Sequence, residues 1–301
     1  MPLDNLEQII DLARSGSKQH LVAAWATDGH SLSAIVRAVE LGVADATVVG
    51  DETEVERSCR ENNLTLKGVK VIHQPDETSA MNEAVSLINR QQCNLLMKGN
   101  LSTDKYLRAI LNKDRGLMDH GSVLSHATVM KITCYHKILI IGDVAIIPLP
   151  DLKQKVAIAN YLINTAHALG IDQPKLALLA ATEQVLPGMP ACIDAAVISK
   201  MAERGQIKGA LVDGPLSMDL SINAESAKIK GIKSKVAGDA DCILFPNIES
   251  GNVFYKANAQ YGNSEQAAIL VGARVPAVLS SRGDSATTKL YSLALAAMLA
   301  H

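Results

Sequence analysis

Residues 20–50 read HLVAAWATDGHSLSAIVRAVELGVADATVVG. The aliphatic runs at its two ends, 20–26 and 46–50, have the length and apolar character of buried strands. Between them, Asp28 to Ser31 supply helix-start chemistry ahead of an amphipathic stretch. Strand, helix and strand in this order build a mostly parallel sheet covered by helices on both faces. The pattern recurs with strands predicted at 69–74 (VKVIHQ) and 93–99 (CNLLMKG), and further helix starts at Asp51 to Thr53 and Ser102 to Asp104. These four units form one doubly wound half.

From about Thr128 the texture changes. VMKITCY (129–135) and KILIIGDVAIIPLP (137–150) follow one another with no room for a helix, which predicts antiparallel pairing and a domain border. Alternation then resumes with strands at 175–181, 209–214, 241–246 and 276–281. Helices are expected at 151–169, 191–204, 222–230 and 252–261, with a closing helix at 285–300. The class is therefore α/β with two domains. Linkers are short, and a cleft between the domains, beyond the carboxyl ends of strands, is the expected ligand site.

The composition fits this reading. A chain of 301 residues that is 48% hydrophobic has enough apolar material for two cores. Acids and bases nearly cancel, 31 against 29, which argues against a nucleic-acid or membrane-surface partner. Residues 1–16 carry acids near their start and helical spacing at Leu3, Leu6, Ile9, Ile10 and Leu12, a surface helix rather than a secretion signal. No apolar run approaches the roughly 20 residues of a membrane span. Cys59, Cys93, Cys134, Cys192 and Cys242 are odd in number and lack CxxC spacing, so we expect small buried residues in a reducing cytoplasm.

Chemistry gathers at four strand ends. In MKGNLST (97–103), Lys98, Gly99 and Asn100 end a strand and Ser102 or Thr103 opens a helix. A cation, a permissive glycine and free helix N–H groups make an anion cradle, without the residue order of a P-loop. In LVDGPLSMDLSI (211–222), Asp213, Gly214 and Pro215 end a strand and Asp219 follows. Two carboxylates there suit proton transfer or ligand orientation, and no third carboxylate stands at metal spacing. In ILFPNIESGNVFYK (243–256), Asn247, Glu249, Asn252 and Lys256 surround Gly251, which permits close backbone approach. In the last, Ser280 and Ser281 end a strand, Arg282 and Gly283 turn, and Asp284 or Ser285 starts the closing helix. A guanidinium gripping two oxygens beside a helix N-terminus makes this the best phosphate site in the chain.

The eight histidines show no HExxH spacing, and GxGxxG is absent, which argues against a Rossmann dinucleotide site. His126, in VLSHATV beside Ser125, borders the domain junction. A satisfied core histidine is its plain alternative.

Together MKGNLST, VLSHATV, residues 189–222, residues 233–252 and VLSSRGDS (278–285) resemble the phosphate acetyl/butyryltransferase family over nearly the whole chain. MKG-x-x-x-T, SKM-x-x-RGQI and SR-x-DS are similar to the butyryl branch in particular. The resemblance implies two α/β/α domains with a cleft between them, related to the isocitrate and isopropylmalate dehydrogenases. Residues 1–128 with a returning 270–301 would form the first domain, and 129–269 the second. It implies a homodimer or higher even assembly, acyl-CoA and phosphate as substrates, and reversible formation of an acyl phosphate with neither metal nor prosthetic group. Ser281 and Arg282 inherit phosphoryl binding and carbonyl polarisation. The acetyl branch places its base six residues past that arginine, where this sequence has Thr288. Asp284 is then the nearest acid, with Asp213, Asp219 or unaided thiol ionisation as alternatives. Lys98 to Asn100, Ser102, Thr103, Ser125, His126, Gly214, Pro215, Asp219, Asn247, Glu249, Gly251, Asn252 and Lys256 are the expected substrate contacts.

Overall fold

The structure, a computed structural model, describes Leu3, residues 5–279 and residues 283–300. The elements begin with α1 (Glu7–Ser15), β1 (Gln19–Ala24), α2 (Gly29–Glu40), β2 (Ala44–Gly50), α3 (Glu52–Glu61), β3 (Val69–His73), α4 (Glu77–Asn89), β4 (Leu95–Lys98) and α5 (Thr103–Ile110). They continue with β5 (Ser125–Lys131), β6 (Ile138–Gly142), α6 (Leu152–Ala168), β7 (Lys175–Leu179), α7 (Pro190–Glu203), β8 (Leu211–Leu216), α8 (Met218–Ile222) and α9 (Ala224–Ile229). The last are β9 (Cys242–Leu244), α10 (Ile248–Tyr261), β10 (Glu265–Val271), β11 (Ala277–Val278) and α11 (Ala286–Leu299).

Two compact units divide the chain: Leu6–Leu124 with Ala267–His301, and Met1–Asn5 with Ser125–Gln266. The borders thus fall at the start of β5 and inside β10.

In the first unit the strand order is β3-β2-β1-β4-β11-β10, parallel except for β10 against β11. The chain runs outward from β1 to β3, then returns to place β4 on the other side of β1, so the topological switch lies between β1 and β4. Leu95, Leu96, Met97 and Lys98 are all buried, as a central parallel strand covered on both faces requires. Tyr106 of α5 is wholly buried and its hydroxyl donates to Val278 O at 3.1 Å, joining this helix to β11. α11 packs on α1 and α2 and is buried almost all round from Lys289 to Ala297.

In the second unit the order is β5-β6-β9-β7-β8, with β5 and β6 antiparallel and the rest parallel. Its core holds Met130, Leu139, Ile141, Ile243 and Phe245 beneath α8 and α9. No described helix is long and apolar enough to cross a membrane.

Several features depart from the sequence reading: β8 runs on to Leu216, α8 has no counterpart there, and α10 starts at Ile248 rather than at 252. β10 has no counterpart there, because EQAAILV opens with Glu, Gln and two alanines, residues that favour a helix. Cys134 is exposed, in the turn between β5 and β6, whereas the other four cysteines are buried.

The amino ends of β6, β7 and β9 are tied by ion pairs. Lys137 Nζ lies 2.8 Å from both Asp239 Oδ1 and Asp241 Oδ1, Lys175 Nζ 2.5 Å from Asp239 Oδ2, and His136 Nε2 2.9 Å from Asp239 Oδ1. Burial pushes the Asp239 carboxyl up, but hydrogen bonds from Lys137, Lys175 and His136 outweigh it and hold the group well below the usual carboxylate range. A depressed folded pKa means the unfolded chain binds the proton more readily. The contribution is therefore complete at neutral pH and fades as pH falls below the unfolded value of about 3.9. Thermal unfolding across pH 3 to 7 checks this: Asp239→Asn should flatten the acid limb, and an unchanged acid limb would contradict it.

Candidate active site

The first unit's site elements lie at the carboxyl edge of its sheet. Ser102 Oγ caps α5 by accepting Lys105 N at 3.2 Å, and Thr103 is the first helical residue. Ser285, not Asp284, caps α11, accepting Thr288 N at 3.1 Å. Each such cap is worth about 1 kcal/mol and fixes where the helix begins. Ser281 and Arg282 lie outside the described residues. Of the groups beside them, Asp284 O meets His30 Nδ1 at 3.2 Å.

Lys98 is buried, and its ammonium donates to Gly99 O at 3.1 Å and Leu101 O at 2.9 Å. The cation thus braces the turn that carries Asn100. Asn100 itself is exposed, while its backbone N–H donates to Trp25 O at 2.7 Å. Gly99 is demanded by packing: a Cβ there would collide with Trp25 O and sit 2.5 Å from Cα and N of Ala26. These are backbone atoms of β1's exit and cannot rotate away. Gly99→Ala should cost roughly 2–3 kcal/mol of stability by overpacking, read as a lowered denaturation midpoint. A variant as stable as the parent would show that the turn gives way.

Lys289 is a charged group that sequence reading passed over. It is buried in the first turns of α11; burial pushes its pKa down, against the pull of Asp28 and Asp284. Its only sequence signal is a lysine directly after the place where the acetyl branch carries its aspartate.

In the second unit the polar centre is Asp143, which sequence reading also missed. It is 2% exposed. Its carboxylate accepts Ser125 Oγ at 2.9 Å and the backbone N–H groups of Ala145, Ile146 and Ile147 at 2.7, 2.9 and 3.2 Å. Ser125 is thus wholly buried and committed to Asp143. His126 is buried beside it, with Nδ1 3.2 Å from Thr128 Oγ1. Burial pushes the His126 imidazole down, with Asp143 opposing, so the ring stays neutral at neutral pH.

The same loop docks α10. Asn252 Nδ2 donates to Val144 O at 3.0 Å, and a Cβ on Gly251 would stand 2.5 Å from Asp143 O. Asn247 caps α10, accepting Ser250 N at 3.0 Å, while Glu249 and Lys256 are exposed. Asp213, Gly214 and Pro215 do not end a strand as expected but lie inside β8, which pairs with β7 as far as Leu216; Asp213 is partly buried and its carboxylate accepts Gly214 N at 2.9 Å. Gly214 fits closely against β7, where a Cβ would be 2.7 Å from Leu178 Cβ and O, and Pro215 is buried. Asp219 is exposed, and the Ser217 hydroxyl donates to it at 2.5 Å. That hydrogen bond outweighs partial burial and lowers its pKa. β8 is the edge strand, so Asp213 and Asp219 are separated by β7 from Asn247 and its neighbours.

Residues 77–297 match the family described as Phosphate acetyl/butaryl transferase. Among relatives, the phosphate butyryltransferase of Clostridium acetobutylicum is 39% identical over 298 residues, covering 99% of each chain. The phosphate acetyltransferase of Thermotoga maritima is 38% identical over 295 residues, covering 98% of this chain and 99% of its own. Among solved structures, a branched-chain phosphotransacylase from Enterococcus faecalis superposes with a TM-score of 0.80 at 29% identity, covering 94% of this chain and 100% of its own. The turn of β4, the Asp143 loop and the α10 junction all lie inside this shared length, and the chain belongs to the phosphate acetyl/butyryl transferase family.

Proposed function

We propose that the protein is a phosphate acyltransferase, reversibly converting a short-chain acyl-CoA, butyryl-CoA by preference, and inorganic phosphate into acyl phosphate and coenzyme A. The observation that carries this is the full-length likeness to a phosphate butyryltransferase. The substrate contacts proposed are those expected from the sequence apart from Ser125, whose buried hydroxyl is given to Asp143, within an architecture of the isocitrate and isopropylmalate dehydrogenase kind and a homodimer or higher even assembly working in the cytoplasm.

Transfer is direct, in a ternary complex, and needs only alignment, desolvation and charge stabilisation from the protein's own residues. In the direction that consumes acyl phosphate and forms acyl-CoA, a base takes the thiol proton and sulfur attacks the carbonyl carbon. The tetrahedral oxyanion is held by Ser281 Oγ and nearby backbone N–H groups. The carbon–oxygen bond to phosphate then breaks, and phosphate departs paired with Arg282. Asp284 and Asp213 are the carboxylates proposed for the proton. Asp219 is the less suited, since its lowered pKa weakens it as a base.

Thiol release from acyl-CoA substrates of two to six carbons, with phosphate as acceptor, tests the reading. A maximum at four carbons is expected. Absence of phosphate-dependent thiol release at every length would overturn it.

A further inference from the structure

Trp25 is the only tryptophan in the chain and lies just past the carboxyl end of β1. Its φ is +54°, in the left-handed region. A bulky side chain there costs of order 1–3 kcal/mol and persists only where the surroundings over-determine it. They do so here. Trp25 N donates to Val49 O at 2.7 Å, and Trp25 O accepts Asn100 N at 2.7 Å and Thr27 N at 3.1 Å. The residue is thereby clamped between the end of β2 and the β4 turn. Its indole is half-buried and leans over Gly50, whose absent Cβ would lie 3.6 Å from Cε3. β1 and β4 flank the topological switch, the place where open α/β sheets collect ligands.

We propose that the Trp25 indole is the wall on which the pantetheine arm of the acyl-CoA rests. This rests on the acyltransferase reading above. β1 is two strands from β11, at whose exit the phosphoryl group is proposed to bind, so about 10 Å separates the two strand ends. A butyryl chain starting at the reacting carbonyl is too short for that gap. The pantetheine arm, comparable to an extended peptide of about four residues, reaches roughly 14 Å from the sulfur. The nucleotide is disfavoured by charge, because Asp51 and Glu52 follow Gly50 directly and would repel its phosphates. A neutral arm of methyl, methylene and amide groups suits an indole face.

Since all tryptophan emission comes from residue 25, titration of the intact protein reads the contact without mutation. Coenzyme A and pantetheine should each change the emission, and adenosine 3′,5′-bisphosphate should not. Trp25→Asn, which keeps a side chain tolerant of positive φ, should raise KM about tenfold, equally for butyryl-CoA and butyryl-pantetheine, and leave kcat within about twofold. Unchanged emission while calorimetry records coenzyme A binding would overturn the assignment. So would a response to the bisphosphate alone, or a KM penalty confined to long acyl chains. If calorimetry finds no coenzyme A binding and thiol release is absent, the acyltransferase reading fails first and takes this inference with it.

Discussion

Arg282→Ala and Ser281→Ala are each expected to lower kcat for phosphate-dependent thiol release by about 10²- to 10³-fold while leaving the unfolding midpoint in place. The magnitude follows from the charge that moves. Losing one preorganised donor to a developing oxyanion typically costs about 3–4 kcal/mol, and a guanidinium that pairs with the attacking phosphate does comparable electrostatic work. The surroundings support the pair. Ser285 fixes the start of α11, whose N-terminal end carries partial positive charge, and Lys289 is buried in the same helix. The two variants should differ in kind. Loss of the guanidinium removes ground-state binding too, so KM for phosphate should rise with Arg282→Ala, whereas Ser281→Ala should act mainly on kcat. Near-normal turnover in both would remove the site from this end of the sheet.

The parallel alternation was legible because strands such as LLMK are continuous apolar runs and helix starts such as Asp28, Asp51 and Ser102 do cap. The antiparallel turn was legible from the short gap between β5 and β6. β10 was not, since EQAAILV gains strand character from tertiary pairing, as with β11, rather than from its own residues. The turns after β4 and β9 were legible as clusters of polar residues at strand ends. The state of each side chain was not: Lys98 turns its ammonium onto the carbonyls of its own turn, and Ser125 is spent on a carboxylate 18 residues away. Asp143 escaped notice for the same reason. Three of its four donors are backbone N–H groups, which leave no mark in a sequence.

That accounting predicts a large effect for Asp143→Ala, a loss of roughly 3–5 kcal/mol measured by denaturant unfolding. Four donors would lose their acceptor together, and the Ser125 hydroxyl, on a wholly buried residue, would be left without a partner. The damage should spread, because Gly251 and Asn252 dock α10 on Asp143 and Val144. Asp143→Asn keeps one acceptor oxygen for the N–H groups of Ala145 and Ile146 but points an amide at the remaining donors, and should retain about half of the lost stability. Ser125→Ala removes a single hydrogen bond and should cost only about 1 kcal/mol. In the double variant the two costs should fall short of their sum, since the serine donor is worthless once the carboxylate is gone. An Asp143→Ala protein no less stable than Ser125→Ala would mean that the turn finds other acceptors, and the carboxylate would lose its place as the unit's polar anchor.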